Sequence, residues 1–187
     1  MSLISSPGPD GISAVLLKHA RLELCDTIAL MFNAWLSIGF VPSQWRAASI
    51  TPVAKIDHPA SWSDYRPISL TSNLCKVFEK ILVKFIIRTT SSIWQHNNQH
   101  GFLPGRSTTD AAVKVIFDLE SAFDQRLLWL AIFFDFAKAF DLVPHDLLLQ
   151  KLTPVLPPWL VRWIASYLSD RTQRVRVGQT TTEWKRV

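Results

Sequence analysis

Asp135 follows an uninterrupted apolar run, Leu127 to Phe134. A carboxylate in that position is costly to desolvate unless it meets a cation, a metal ion or several hydrogen-bond donors. Two readings are open. Its hard oxygens suit a divalent ion that takes carboxylate, carbonyl and water ligands, and an Asp at a strand end also forms turns or caps the next helix. Asp141, at a second turn, suits the capping role. Cys25 and Cys75 have neither CxxC nor paired-His spacing, and the five histidines form no ligand pattern, so neither a disulfide framework nor a structural zinc site is expected. The eight tryptophans could stack on bases, although Trp35, Trp159 and Trp163 fall on helical stripes and read as core.

The elements that must position these groups follow from periodicity. Ser5 to Gly11 is dense in Pro and Gly, so the chain enters as a loop and starts a helix near Ile12. From Leu22 to Phe40, the positions Cys25, Ile28, Ala29, Phe32, Trp35 and Leu36 recur at three and four, which predicts a buried helical stripe ended by Gly39 and Pro42. Ala48 to Val53 and Arg66 to Leu70 read as strands of a long-looped hairpin. Leu74, Val77, Phe78, Ile81, Leu82, Phe85 and Ile86 predict a helix capped by Thr71 or Ser72. After a polar stretch at His96 to Gln99, Ser107 or Thr108 can cap a helix to about Phe123. Leu127 to Phe134 reads as a strand covered on both faces. Pro157-Pro158 opens a helix to Leu168, and Thr172 to Val177 and Thr180 to Val187 read as a hairpin around Gly178-Gln179, with Arg174 and Arg176 on one side of its first strand.

The 187 residues suffice for one domain burying roughly 70% of its unfolded surface. Apolar residues at 48% and charged residues at 19% exclude disordered and low-complexity classes. The eight-residue apolar run falls well short of the roughly 18 residues a spanning helix needs. Met1-Ser2-Leu3-Ile4 lacks the charged-then-apolar pattern of a signal peptide. The expectation is therefore an intracellular protein without a membrane role. The net charge is +5, and residues 162–187 carry six Lys/Arg against two Asp/Glu. Such a segment favours phosphate backbones, or is simply a solvated strand face. The mixture and order of elements predict an α+β fold, helices packed on a small mixed or antiparallel sheet.

The segment Asp135-Phe136-Ala137-Lys138-Ala139-Phe140-Asp141 resembles the first catalytic-carboxylate motif, Asp-Phe-x-Lys-Ala-Phe-Asp, of the reverse transcriptase domain of non-LTR (LINE-type) retrotransposons. Five further blocks lie in the same order: Ser6 to Gly11, Val41 to Trp45 with Lys55 beyond it, Asp64 to Ser72, Gly101 to Asp110, and Arg171 to Val177. The resemblance covers nearly the whole chain. It implies the fingers (about 1–125) and the first part of the palm (about 126–187) of a right-hand polymerase. It also implies Mg²⁺ as cofactor, an RNA template and DNA primer as partners, and deoxynucleoside triphosphates as substrates.

On that resemblance, Asp135 is the first metal-binding aspartate and the Phe136 carbonyl a second ligand. Phe140 is the aromatic beneath the incoming sugar. Lys55 and Arg66, at the two ends of the hairpin, clamp the triphosphate, where fixed cations neutralise charge developing on phosphate oxygens. Gly105 and Arg106 are template-side loop residues, and Leu103 replaces an Arg common there. Trp45 packs the fingers, and His145 after Pro144 marks a helix entry.

Two-metal phosphoryl transfer needs carboxylates from more than one segment. The family's later motifs, Gly-x-Pro-Gln-Gly-Ser and Tyr-x-Asp-Asp, are not found in these 187 residues. The expectation is a fragment of an RNA-directed DNA polymerase, truncated before those motifs and inactive on its own. Its last strands are expected to leave edges uncovered. The alternative is a non-catalytic nucleic-acid or nucleotide-binding remnant using Lys55, Arg66, Arg106, Arg174 and Arg176.

Overall fold

The computed structural model describes residues 6–94, 98–136 and 139–187. Met1 to Ile4 and part of the polar stretch at His96 to Gln99 lie outside them. In chain order the elements are α1 (Ala14–His19), α2 (Arg21–Ile38), β1 (Ala47–Ala54), β2 (Tyr65–Leu70), α3 (Asn73–Trp94), α4 (Thr108–Asp124), α5 (His145–Leu152), α6 (Pro158–Leu168), β3 (Thr172–Val177), β4 (Thr180–Thr181) and β5 (Lys185–Arg186). The chain divides into two compact units, Met1–Arg88 with Pro144–Val187, and Thr89–Val143.

In the first unit the helix boundaries follow local chemistry. The Ser13 hydroxyl accepts the Leu16 amide (3.1 Å) at the start of α1, and Gly39, left-handed at φ +67°, closes α2. The Ser72 hydroxyl accepts the Cys75 amide (3.2 Å), which makes Ser72 the cap of α3. Pro158 occupies the first turn of α6, where its missing N–H costs nothing.

The core joins α2, α3 and α6. Phe78 of α3 lies 4.3 Å from Phe32 of α2 and 5.0 Å from Trp163 of α6, centroid to centroid, the latter edge to face. Trp45 and Trp163 are buried, and Trp35 and Trp159 pack partly buried against them. The stripe expected on α2 is corrected at its first turns: Cys25 and Ala29 are exposed, while Ile28, Phe32, Trp35 and Leu36 face inward. Cys25 and Ala29 instead line an open apolar groove of about 240 Å³ with Ile28, Leu74, Val77 and Ile81.

The opening loop is held by polar and steric contacts. Asn73, fully buried, donates from Nδ2 to the Ile12 carbonyl (2.9 Å). A Cβ on Gly8 would stand 2.5 Å from the backbone of Thr71 and Ser72, so this approach requires glycine. Across the core, Glu79 of α3 accepts from the Tyr167 hydroxyl of α6 and from Cys75 Sγ (3.4 Å). Burial, and then the Glu79 charge, push both the Cys75 thiol and the Tyr167 phenol well above their usual ranges.

The sheet runs β2-β1-β3-β4, with β5 also on β3. β1 pairs antiparallel with β2, Val53 opposite Arg66, and parallel with β3, Ser49 opposite Arg174. A mixed sheet with packed helices agrees with the α+β expectation. Two details differ. The strand expected over Thr180 to Val187 is broken into β4 and β5, and of the last strands, expected to leave edges uncovered, β3 is covered by β1 on one side and by β4 and β5 on the other, while β4 and β5 pair with β3 alone among the described residues.

In the second unit α4 begins as read from sequence. The Ser107 hydroxyl accepts the Asp110 amide (3.2 Å) and the Asp110 carboxylate accepts the Ser107 amide (2.7 Å), a reciprocal capping box. The strand expected at Leu127 to Phe134 is not formed: no strand pairs with it among the described residues, and Leu128, Phe133 and Phe134 are at least 90% exposed. A strand buried on both faces needs a ladder on each edge and a layer on each face to offset its ordering. The described residues supply none of these to this segment.

Candidate functional site

Asp135 directly follows this segment and is exposed, as are Phe136 and Phe140, both above 80%. The expectation that Asp135 stands desolvated at the tip of a covered strand is overturned for the same reason: the cover is absent from the described residues. Ala137 and Lys138, within the same motif, lie outside the described residues. Asp141 is exposed in a turn and caps no helix; α5 begins after Pro144, with His145 as its first residue.

The exposed Asp135 carboxylate and Phe136 carbonyl are hard oxygens of the kind Mg²⁺ takes, but two donors fall short of the six of an octahedral ion. Among the described residues no group of three or more His, Cys, Asp or Glu side chains is arranged to hold a metal. The remaining oxygens would have to come from substrate phosphates, water and other carboxylates.

Lys55 and Arg66 are brought together by the β1–β2 register. Arg66 is opposite Val53, and the Lys55 amide donates to the Asp64 carbonyl (2.7 Å), so both cations sit at the loop end of the hairpin and not at opposite ends. The alternation of the pleat puts position 55 on the face of position 53, and hence of Arg66. Val53 and Ile68 on that face are also exposed, so the hairpin presents two cations beside apolar surface.

The loop between them is built, not slack. The Asp64 carboxylate accepts the amides of Ala60 (2.9 Å) and Ser61 (2.8 Å), and these bonds hold its pKa below the usual aspartate range. The Lys55 ammonium donates to the Ser63 carbonyl (2.6 Å). Ser63 and Asp64 therefore position Lys55, a role the sequence reading missed. The signal was present as Ser61-x-x-Asp64, the capping-box spacing.

Gly105 and Arg106 lie in the turn that feeds α4. Gly105 adopts φ +77°, left-handed, and the Arg106 amide donates to the Leu103 carbonyl (3.3 Å). The Asp110 pKa is held low first by the Ser107 hydroxyl and amide, and then by the charges of His100 and Arg106. In the C-terminal hairpin, Arg174 donates from Nε to the Ser49 hydroxyl (3.1 Å) and lies 4.7 Å from the Trp184 ring centroid. Arg174 is thereby partly spent in the sheet, whereas Arg176 is exposed.

The small mixed sheet and the helices packed with it are consistent with a partial polymerase fold. The profile of the reverse transcriptase (RNA-dependent DNA polymerase) family matches residues 54–187, and the chain belongs to that family. The resemblance to the non-LTR retrotransposon domain stands. The chain is 35% identical over 180 residues to the probable RNA-directed DNA polymerase from transposon BS of Drosophila melanogaster, covering 95% of this chain and 20% of that protein. It is 29% identical over 181 residues to the RNA-directed DNA polymerase from mobile element jockey of the same organism, covering 95% and 20%. Against the retrovirus-related Pol polyprotein from type-1 retrotransposable element R2 of Popillia japonica it is 28% identical over 178 residues, covering 93% and 24%. The chain thus spans about a fifth to a quarter of the length of these relatives. Among the described residues no helix is long and apolar enough to cross a membrane.

Proposed function

We propose that these residues form the fingers and the first part of the palm of an RNA-directed DNA polymerase, with an RNA template, a DNA primer and deoxynucleoside triphosphates as its ligands. The observation that carries this reading is the family match across residues 54–187, which takes in Lys55, Arg66 and the Asp135 motif. The fingers span about 1–125 and the palm part about 126–187. Lys55 and Arg66 hold the triphosphate, Gly105 and Arg106 the template. Phe140 lies under the sugar of the incoming nucleotide. Asp135 and the Phe136 carbonyl are two of the oxygens that hold Mg²⁺. When bound, the metal activates the primer hydroxyl and stabilises the departing pyrophosphate.

One carboxylate cannot fix two divalent ions. The 187 residues alone therefore bind a template–primer and do not extend it. Primer extension on an RNA template with Mg²⁺ and deoxynucleotides tests this. Extension that disappears in Asp135→Ala would overturn the incompleteness of the site, and failure to bind template–primer at low salt would overturn the reading itself. The exposure of Asp135 and the absence of a metal-holding cluster among the described residues favour a second reading, a binding module without catalysis. It shares the binding result and departs from the first in requiring no metal at Asp135.

A further inference from the structure

Helix α3 carries its cations in a single row. Lys76, Lys80, Lys84 and Arg88 recur every four residues, and the only acidic residue between Asn73 and Trp94 is Glu79. Glu79 is turned inward, accepting from Tyr167 and Cys75. The buried side of the helix is set by Cys75, Phe78 and Leu82. At 100° per residue, Lys80 and Lys84 lie on the side opposite them, and Lys76 at the margin of that side. Lys80 and Lys84 are exposed and Lys76 is half-buried, and these three lysines form no ion pair among the described residues.

This arrangement is not what solubility requires. Like charges one turn apart destabilise a helix, whereas alternating Glu and Lys would solvate the same face and stabilise it. Other helices of the chain carry mixed or mainly acidic charges: α2 carries Arg21, Glu23 and Asp26, and α4 carries Asp110, Lys114, Asp118, Glu120 and Asp124. The row on α3 thus accepts a cost that a bound polyanion would relieve. Its lysines rise by about 6 Å per step along one line, a spacing on the scale of successive phosphates of one strand. Val83 and Ile87 lie exposed alongside, apolar surface suited to sugars.

We propose that the Lys76–Lys80–Lys84 row of α3 is a binding track for the sugar–phosphate backbone of a single RNA strand, separate from the Lys55–Arg66 hairpin. The inference rests on the reading of the chain as a nucleic-acid-binding part of a polymerase.

The test is the salt dependence of binding of a fluorescein-labelled single-stranded RNA of mixed sequence to the 187-residue chain, read by anisotropy. The comparison is between the unaltered chain, the triple variant Lys76→Gln, Lys80→Gln, Lys84→Gln, and the triple Lys→Arg variant. Loss of three phosphate contacts lowers the slope of log K against log salt by about 2, from roughly 0.7 per single-strand phosphate. The Arg variant keeps the full slope. The Gln variant also melts at a higher temperature than the unaltered chain without RNA, because three buttressed like charges are gone, and this establishes that it folds. An unchanged slope in a folded Gln variant overturns the inference while leaving the polymerase reading intact. An unaltered chain that binds no RNA at low salt overturns both.

Discussion

Asp110 and Asp64 have carboxylates held low by donors within their own turns. Their folded pKa values lie below the unfolded ones, so what they contribute is present above the unfolded value and is lost as pH falls through the folded one. An NMR titration of the side-chain carboxyl signals is expected to give both residues midpoints below the usual aspartate range. Ser107→Ala is expected to move the Asp110 midpoint upward and leave that of Asp64 in place. A common shift of both would contradict the local origin. The cysteines divide in the same way. Cys25 is exposed, while Cys75 is buried with its thiol pK raised, so one equivalent of iodoacetamide reacts in the native chain and a second only after denaturation. Two rapidly reacting thiols would show that the α3–α6 contact is open. At the hairpin, Arg66→Ala is expected to weaken deoxynucleoside triphosphate binding about tenfold, a loss of about 1.4 kcal/mol. Nucleoside binding should stay unchanged, and an equal loss for both ligands would remove the phosphate role.

Elements whose partners are close in sequence were legible from the chain. Ser107 and Asp110, Ser72 and Cys75, and Gly39 mark their helix ends by interactions within four residues, and the β1–β2 hairpin follows from two strands and a single connection. Legibility failed where an element depends on distant cover. The apolar run at 127–134 reads as a buried strand because composition reports a need for cover without reporting its source. The parallel pairing of β1 with β3 joins positions 125 residues apart, such as Ser49 and Arg174, beyond the reach of any local pattern. The cationic row of α3 was written in the sequence at a four-residue interval and was hidden by the stronger apolar period of the same helix. Core packing of α3 gives a separate expectation: Phe78→Ala, which removes contacts with both Phe32 and Trp163, should cost about 3–5 kcal/mol in denaturant unfolding of the first unit. Gly8→Ala should destabilise as well, because the added methyl meets main chain and not a movable side chain.

For the molecule as a whole, family membership came from motif order, and its residue types were readable without coordinates. The site itself was only half legible. Lys55 and Arg66 share a face of one hairpin as the register dictates, but Asp135 is exposed after a segment that pairs with no strand among the described residues. In the proposed polymerase role this carboxylate is a metal ligand beneath a nucleotide triphosphate. Paramagnetic broadening by Mn²⁺, followed residue by residue in the amide spectrum with a deoxynucleoside triphosphate present, tests it most directly. Broadening centred on Asp135 and Phe136, and lost in Asp135→Asn, is the expected result. Broadening there no greater than at the exposed acids Asp118 and Asp124 of α4 would contradict it.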